Sequence, residues 1–244
     1  MTKNSSRISK RDSRRKRQRS VHPQKWWTKG ITSIDVGRRL RIVPRWDVHA
    51  CSNDRVNIVI EPGPSFGAGD HPSTVMALEL LEIAVAEALK TREAPTVLDV
   101  GAGTGVLAIA AKSLGAGFTV ALDIDLVSIF TICAKNLELN SSNWNAEKSP
   151  PLCVFAGDIR AVSSSFDIVM ANLAAPVLLR LRDDLLSVAG ATLILSGIAD
   201  EMVGQVKRAY AAAMHIVGQK QQSGWNALLL SARSQRCVNG CPLS

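Results

Sequence analysis

After Pro95 the chain takes on a single texture. Short, almost wholly apolar runs of strand length alternate with runs that carry apolar residues at helical spacing. The strand candidates are "TVLDV", "FTVALDID", "LCVFAGD", "FDIVMAN", "ATLILSG", "HIVGQK" and "WNALLLSAR". The helical runs between them include "VLAIAAKSL", "LVSIFTICAKNLELN", "PVLLRLRDDLLSV" and "DEMVGQVKRAYAAAM". Strands so uniformly apolar must be covered on both faces, which requires helices above and below a mostly parallel sheet. The order therefore predicts an α/β fold with a doubly wound, seven-stranded sheet. Its last two strands, joined around "QQSG", form an antiparallel hairpin at one edge. In such a sheet the ligand crevice lies at the carboxyl ends of the strands.

The segment before this pattern is different. "RLRIV" and "VNIVIEPG" read as strands of a small β-rich lead-in bracketed by Trp26, Trp27 and Trp46, and "HPSTVMALELLEIAVAEALK" reads as a helix that opens at Pro72. Charge is just as uneven. Of the 29 Lys+Arg, eleven precede Gly30 with a single acid, leaving 18 bases against 20 acids in the rest, so the folded body is slightly acidic despite a net charge of +8. The first 25 residues are too polar to repay ordering and are expected to be a disordered basic arm, either a solvated tail or a contact for rRNA phosphates. The arm lacks the apolar face of a transit peptide, and no apolar run reaches the ~18 residues of a membrane span. A cytoplasmic protein with no membrane partner is the expectation. The five scattered cysteines signal neither a disulfide framework nor a metal site, and "CVNGC" near the end reads as tail.

One turn dominates the chemistry. Gly101, Gly103 and Gly105 follow the first strand of the alternating region and precede a helix, where bare backbone lets a ligand approach closely. The spacing GxGxG departs from the GxGxxG that seats a pyrophosphate, and Asp99 stands just ahead of it. An acid there suits a cationic ligand such as S-adenosyl-L-methionine better than a diphosphate, whether Asp99 touches the ligand or orients the turn. Asp123 ends the next strand, where a carboxylate can accept hydrogen bonds from both ribose hydroxyls. Asp158 follows one strand later, suitably placed for the adenine amine.

"VLDVGAGTG" with "ALDID" resembles the first two motifs of Rossmann-like class I S-adenosylmethionine-dependent methyltransferases. Adding "PGPSFGAGDHPST" ahead of the core and "MANLAAPVLLRL" after the fourth strand, the chain from about Trp26 to Arg233 resembles the ribosomal protein L11 methyltransferase (PrmA-like) family of protein-lysine methyltransferases. The resemblance implies that Thr74, Gly101, Asp123 and Asn172 contact the cofactor or line the reaction pocket. It also implies that Phe66, Gly67 and Gly69 shape a loop over the methionine end. The helix starting near His71 to Thr74 would then offer unpaired N–H groups to the methionine carboxylate. Asn172 would hold the acceptor amine, unless it merely caps the next helix. The loop reads Ala68 and Asp70 where the family often has threonine and another residue.

These readings divide the chain into a basic arm (1–25), a lead-in with a cofactor loop (26–70), a Rossmann-like methyltransferase domain (71–233) and a tail (234–244). They anticipate an S-adenosylmethionine-dependent methyltransferase acting on protein amines, with a ribosomal protein as a candidate substrate and Asn172 as the catalytic residue. The cofactor-binding set is Phe66, Gly67, Gly69, Thr74, Asp99, Gly101, Gly103, Asp123, Asp158 and Asn172. Two alternatives stay open: an RNA or DNA base N-methyltransferase, although "NLAAP" lacks the aromatic that would stack a base, and a non-catalytic RNA-binding assembly protein.

Overall fold

A computed structural model describes residues 31–62, 69–91, 94–144 and 152–233. The basic arm, Trp26, Trp27, Phe66, Gly67 and the terminal cysteines lie outside the described residues. The chain opens with β1 (Ile34–Val36), β2 (Leu40–Pro44) and β3 (Val56–Ile60). β1 and β2 pair antiparallel and β2 and β3 parallel, forming a three-stranded sheet. The long helix α1 (Pro72–Ala88) follows, then β4 (Val97–Val100), α2 (Val106–Ser113) and β5 (Thr119–Asp123). A π-helical segment, Ser128–Cys133, runs into α3 (Ala134–Asn140) and β6 (Leu152–Ala156). The remainder is β7 (Phe166–Asn172), α4 (Ala175–Arg180), α5 (Arg182–Val188), β8 (Ala189–Ala199), α6 (Asp200–Ala211), β9 (Met214–Gln222) and β10 (Trp225–Ala232).

The second sheet has seven strands in the order β6-β5-β4-β7-β8-β10-β9. It is parallel from β6 to β8, with β10 antiparallel to both β8 and β9. The expected hairpin therefore closes one edge. The chain winds outward from β4 to β6, then crosses back to β7 on the other side of β4, so the winding direction reverses between β4 and β7. The carboxyl ends of those two strands mark the crevice.

The small sheet is not a separate body. Leu40, Ile42, Ile58 and Ile60 share one core with α1 and α2. With a sheet on each side, α1 buries a broad face, from Met76 through Leu81 to Val85, and leaves Ile83, Ala86 and Glu87 exposed. A second core, including Leu98, Val169, Leu193 and Tyr210, lies on the opposite face of the large sheet under α4, α5 and α6. Two helical runs that read as continuous are broken. "LVSIFTICAKNLELN" begins π-helical before α3. "PVLLRLRDDLLSV" divides at Leu181 (φ −90, ψ 10), where the Arg182 guanidinium Nε donates to the carbonyl of Ala209 at 2.6 Å. The link from β6 to β7 carries only a 3-10 turn, Ile159–Ala161, and its residues from Gly157 to Arg160 line the crevice. Among the described residues no helix is long and apolar enough to cross a membrane.

Candidate active site

The turn after β4 is a run of left-handed backbone, with φ of 76° at Gly101, 54° at Gly103 and 79° at Gly105. Its first two N–H groups, of Gly101 and Ala102, both donate to the carbonyl of Leu122, at 2.8 and 3.0 Å. A side chain cannot be added: a Cβ on Gly101 would lie 2.4 Å from Leu173, and one on Gly105 would lie 2.6 Å from the Cys133 sulfur. The turn forms one wall of a cavity of about 910 Å³. That is within the range of pockets that take small organic ligands.

Six of the sequence-derived site residues line this cavity: Thr74, Gly101, Gly103, Asp123, Asp158 and Asn172. Asp123 holds the turn from the side, one carboxylate oxygen accepting from the N–H of Gly103 at 2.9 Å and the other from that of Asp125 at 3.0 Å. Asp158 accepts from the main-chain N–H of Arg160 and is gripped by its guanidinium at 2.9 and 2.7 Å. The Arg160 side chain, with its backbone N–H, holds this carboxyl well below the usual carboxylate range. Arg160 carries no sequence signal of its own beyond the acid two residues ahead.

Asn172, at the carboxyl end of β7, donates through Nδ2 to the Thr74 hydroxyl at 3.3 Å, while its Oδ1 is buried with no hydrogen-bond partner. It does not cap α4, because Ala174 occupies that N-cap. Gly197, with φ of 79°, leaves the space beside it: a Cβ there would be 3.2 Å from Oδ1. The start of α1 is locked to the sheet nearby, the buried Ser196 hydroxyl donating to the Ser73 carbonyl at 2.8 Å. Trp225 completes this end of the cavity and packs edge-on against His71, with ring centroids 5.0 Å apart.

One expectation needs correction. The first turn of α1 does not present unpaired N–H groups: His71 Nδ1 accepts from Ser73, and the His71 carbonyl accepts from both Thr74 and Val75. The Thr74 hydroxyl is what this end brings to the cavity. Gly69 is not among the residues that line the cavity and packs on β2, where a Cβ would sit 2.6 Å from Ile42. Asp99 lies behind the turn, 1% exposed, where one oxygen accepts from the N–H of Ala108 at 3.1 Å and the other has no partner. It thus braces the first turn of α2 behind the glycine turn and is not among the residues that line the cavity.

Burial pushes the Asp99 carboxyl up to about 7 and the nearby Asp123 charge adds to this, while the Ala108 bond opposes it. The folded chain then holds a proton that the unfolded chain releases near the ordinary 3.8. The resulting stabilisation is fully present below about pH 4 and is lost as pH rises to about 7. Asp99→Asn keeps the acceptor for Ala108 and cannot ionise. Thermal melts without ligand should therefore show the variant gaining on the wild type between pH 5 and pH 8, by on the order of 2–3 kcal/mol. Parallel pH profiles would rule out a titrating Asp99.

Sequence reading missed two buried polar residues, Asn136 and Asn140, one helical turn apart on α3. Their spacing in an otherwise mixed helix was the available signal. Among the described residues no cluster of three His, Cys, Asp or Glu is arranged to hold a metal.

Comparison with known proteins agrees with this geometry. A ribosomal protein L11 methyltransferase of Myxococcus xanthus is 38% identical over 184 residues, covering 75% of this chain and 59% of the relative. Another, from Pelobacter propionicus, is 35% identical over 218 residues, covering 86% and 67%. This chain thus spans about three fifths to two thirds of the length of these curated relatives. A crystal structure of ribosomal protein L11 methylase from Lactobacillus delbrueckii subsp. bulgaricus superposes with a TM-score of 0.68 at 29% identity, covering 83% of this chain and 98% of that one. Magnesium protoporphyrin IX methyltransferase from Synechocystis PCC 6803, at 19% identity and a TM-score of 0.51, shares the fold. The family model for "Ribosomal protein L11 methyltransferase (PrmA)" matches residues 2–233, and the chain belongs to that family.

Proposed function

We propose that this protein is an S-adenosylmethionine-dependent methyltransferase that methylates protein amines, of the lysine ε-amine type, with a ribosomal protein as the acceptor. The observation that carries the reading is the buried Asn172 Oδ1, an acceptor without a partner, in a residue that lines the same cavity as Gly101, Gly103 and Asp123. Relatives named for methylation of ribosomal protein L11 support the choice of acceptor. The eleven bases before Gly30 support contact with rRNA beside it, in the cytoplasm.

The residues fit the cofactor. Gly101 and Gly103 would allow close approach of a nucleoside, Asp123 would offer its remaining lone pairs to the ribose hydroxyls, and Asp158, on the same cavity, would serve the adenine amine with the lone pairs Arg160 leaves. Thr74 would serve the methionine end. The bound cofactor supplies a methyl group on a cationic sulfur that departs as a neutral thioether. The amine must arrive with a free lone pair, and a lysine is normally protonated to about pH 10.4. The partly apolar cavity lowers that value by disfavouring a second positive charge beside the first. Asn172 Oδ1 would accept one amine hydrogen and so fix the direction of the nitrogen lone pair. The surplus proton on the methylated amine would leave to solvent. Positioning supplies most of the acceleration in such a displacement.

Incubation of the full chain with methyl-labelled S-adenosylmethionine and a cell extract tests the reading. Label should appear in a small protein of the ribosomal fraction, survive RNase and disappear with protease. Label lost to RNase would replace this reading with nucleic-acid base methylation, and no incorporation at all would point to a binding protein.

A further inference from the structure

Two fully buried asparagines on α3 carry amides with nearly the same set of partners. Asn140 accepts from the N–H of Val59 at 2.9 Å and donates to the Val59 carbonyl at 2.7 Å, and Asn136 does the same to Glu61, at 2.7 and 3.3 Å. Val59 lies in β3 and Glu61 one residue past its end, alternating along that strand's outer edge, so the two side chains stand in for a neighbouring strand. They satisfy main-chain groups that burial would otherwise leave unpaired.

The two differ in one bond. The second amide hydrogen of Asn140 goes back to its own helix, to the carbonyl of Asn136 at 2.7 Å. The second amide hydrogen of Asn136 leaves the helix and reaches the carbonyl of Thr104 at 3.0 Å, inside the glycine turn. Thr104 is itself fully buried, flanked by the left-handed Gly103 and Gly105. One helical turn earlier, Cys133 fills the space that a side chain on Gly105 would need. Cys133, at the end of the π-helical segment, and Asn136, on α3, therefore brace the turn from behind, while Asp123 holds it from the side through Gly103.

We infer that Asn136 is a positioning residue for the cofactor site: by bonding Thr104 and Glu61 with one amide, it fixes the glycine turn to the small sheet in its ligand-ready shape. The inference rests on the reading of that turn as the cofactor cradle. Asn140 supplies the internal control, since it carries the same structural duty toward β3 and has no bond to the turn.

The test is calorimetric titration of the full chain with S-adenosylhomocysteine, comparing wild type, Asn136→Ala and Asn140→Ala, each with a thermal melt. Both variants should melt lower than wild type. Asn136→Ala should bind at least tenfold more weakly, whereas Asn140→Ala should stay within about twofold. Equal losses in the two variants, or none in Asn136→Ala, overturn the inference and leave the cofactor reading intact. A wild type that does not bind overturns the cofactor reading and the inference with it. Should either variant fail to fold, residue-resolved amide exchange on the wild type decides the matter. Adding S-adenosylhomocysteine should slow exchange at Glu61, whose acceptor is Asn136, more than at Val59, whose acceptor is Asn140. Equal slowing at the two amides overturns the inference.

Discussion

Replacing Asp123 with Ala is expected to weaken binding of S-adenosylmethionine by at least a hundredfold while leaving the chain folded. Its carboxylate orders the cavity wall by accepting from the N–H groups of Gly103 and Asp125, and Asp123 lines the cavity proposed to take the ribose. Hydrogen bonds to a charged group contribute about 1.5–3 kcal/mol each. Losing two from ligand hydroxyls corresponds to about 3–6 kcal/mol, or more than two decades in affinity. The fold should survive because the first bonds of the turn, from Gly101 and Ala102 to Leu122, are made by main chain alone. Asp123→Asn keeps an acceptor but loses the charge, so its affinity should fall between the two. Isothermal titration with a circular-dichroism melt measures both quantities. Affinity within threefold of wild type for the Ala variant would remove Asp123 from the site.

The parts of this molecule that were legible in its sequence are those fixed by local rules. Left-handed backbone at Gly101, Gly103 and Gly105 follows from glycine at those positions, and the parallel sheet follows from strands such as "TVLDV" that tolerate no wet face. Asp99 shows where that clarity stops. In a strand buried on both faces, all four residues from Val97 to Val100 are inaccessible, so the alternation that would reveal which way an acid points is absent. Its role as a brace for α2 appears only once Ala108 is seen beside it. The helix N-terminus was misread for a related reason. A histidine can cap the N–H two residues ahead, and the sequence does not disclose which rotamer Trp225, more than 150 residues away, imposes on His71. Asn136 and Asn140 are long-range in the same sense: their partners Glu61 and Val59 lie 75 and 81 residues earlier.

Asn172→Ala should abolish most of the methyl transfer without loss of stability or of cofactor binding, a combination expected only of a residue whose strain serves the reaction. In the folded chain Asn172 Oδ1 is desolvated and unpaired, and an acceptor left in that condition costs about 1–3 kcal/mol. Removing it relieves that cost, and the remaining Thr74 hydroxyl loses only the single 3.3 Å bond from Nδ2. The melting temperature of the variant should thus equal or exceed that of wild type, as is common where active-site groups are held at the expense of stability. Gly197 beside Asn172 keeps the space open in both forms. In single-turnover measurements with saturating S-adenosylmethionine, the rate should fall about 100- to 1,000-fold, the range seen when one preorganised polar partner of a reacting group is deleted. Affinity for S-adenosylhomocysteine should change by less than about fivefold, since the turn and Asp123 are untouched. Asn172→Asp separates orientation from charge: it retains an oxygen toward the amine but holds the ammonium form more firmly, so its rate should recover as pH is raised from 7 to 9. A wild-type rate in Asn172→Ala, or a loss explained wholly by weaker cofactor binding, would show that the unpaired amide oxygen does not handle the acceptor.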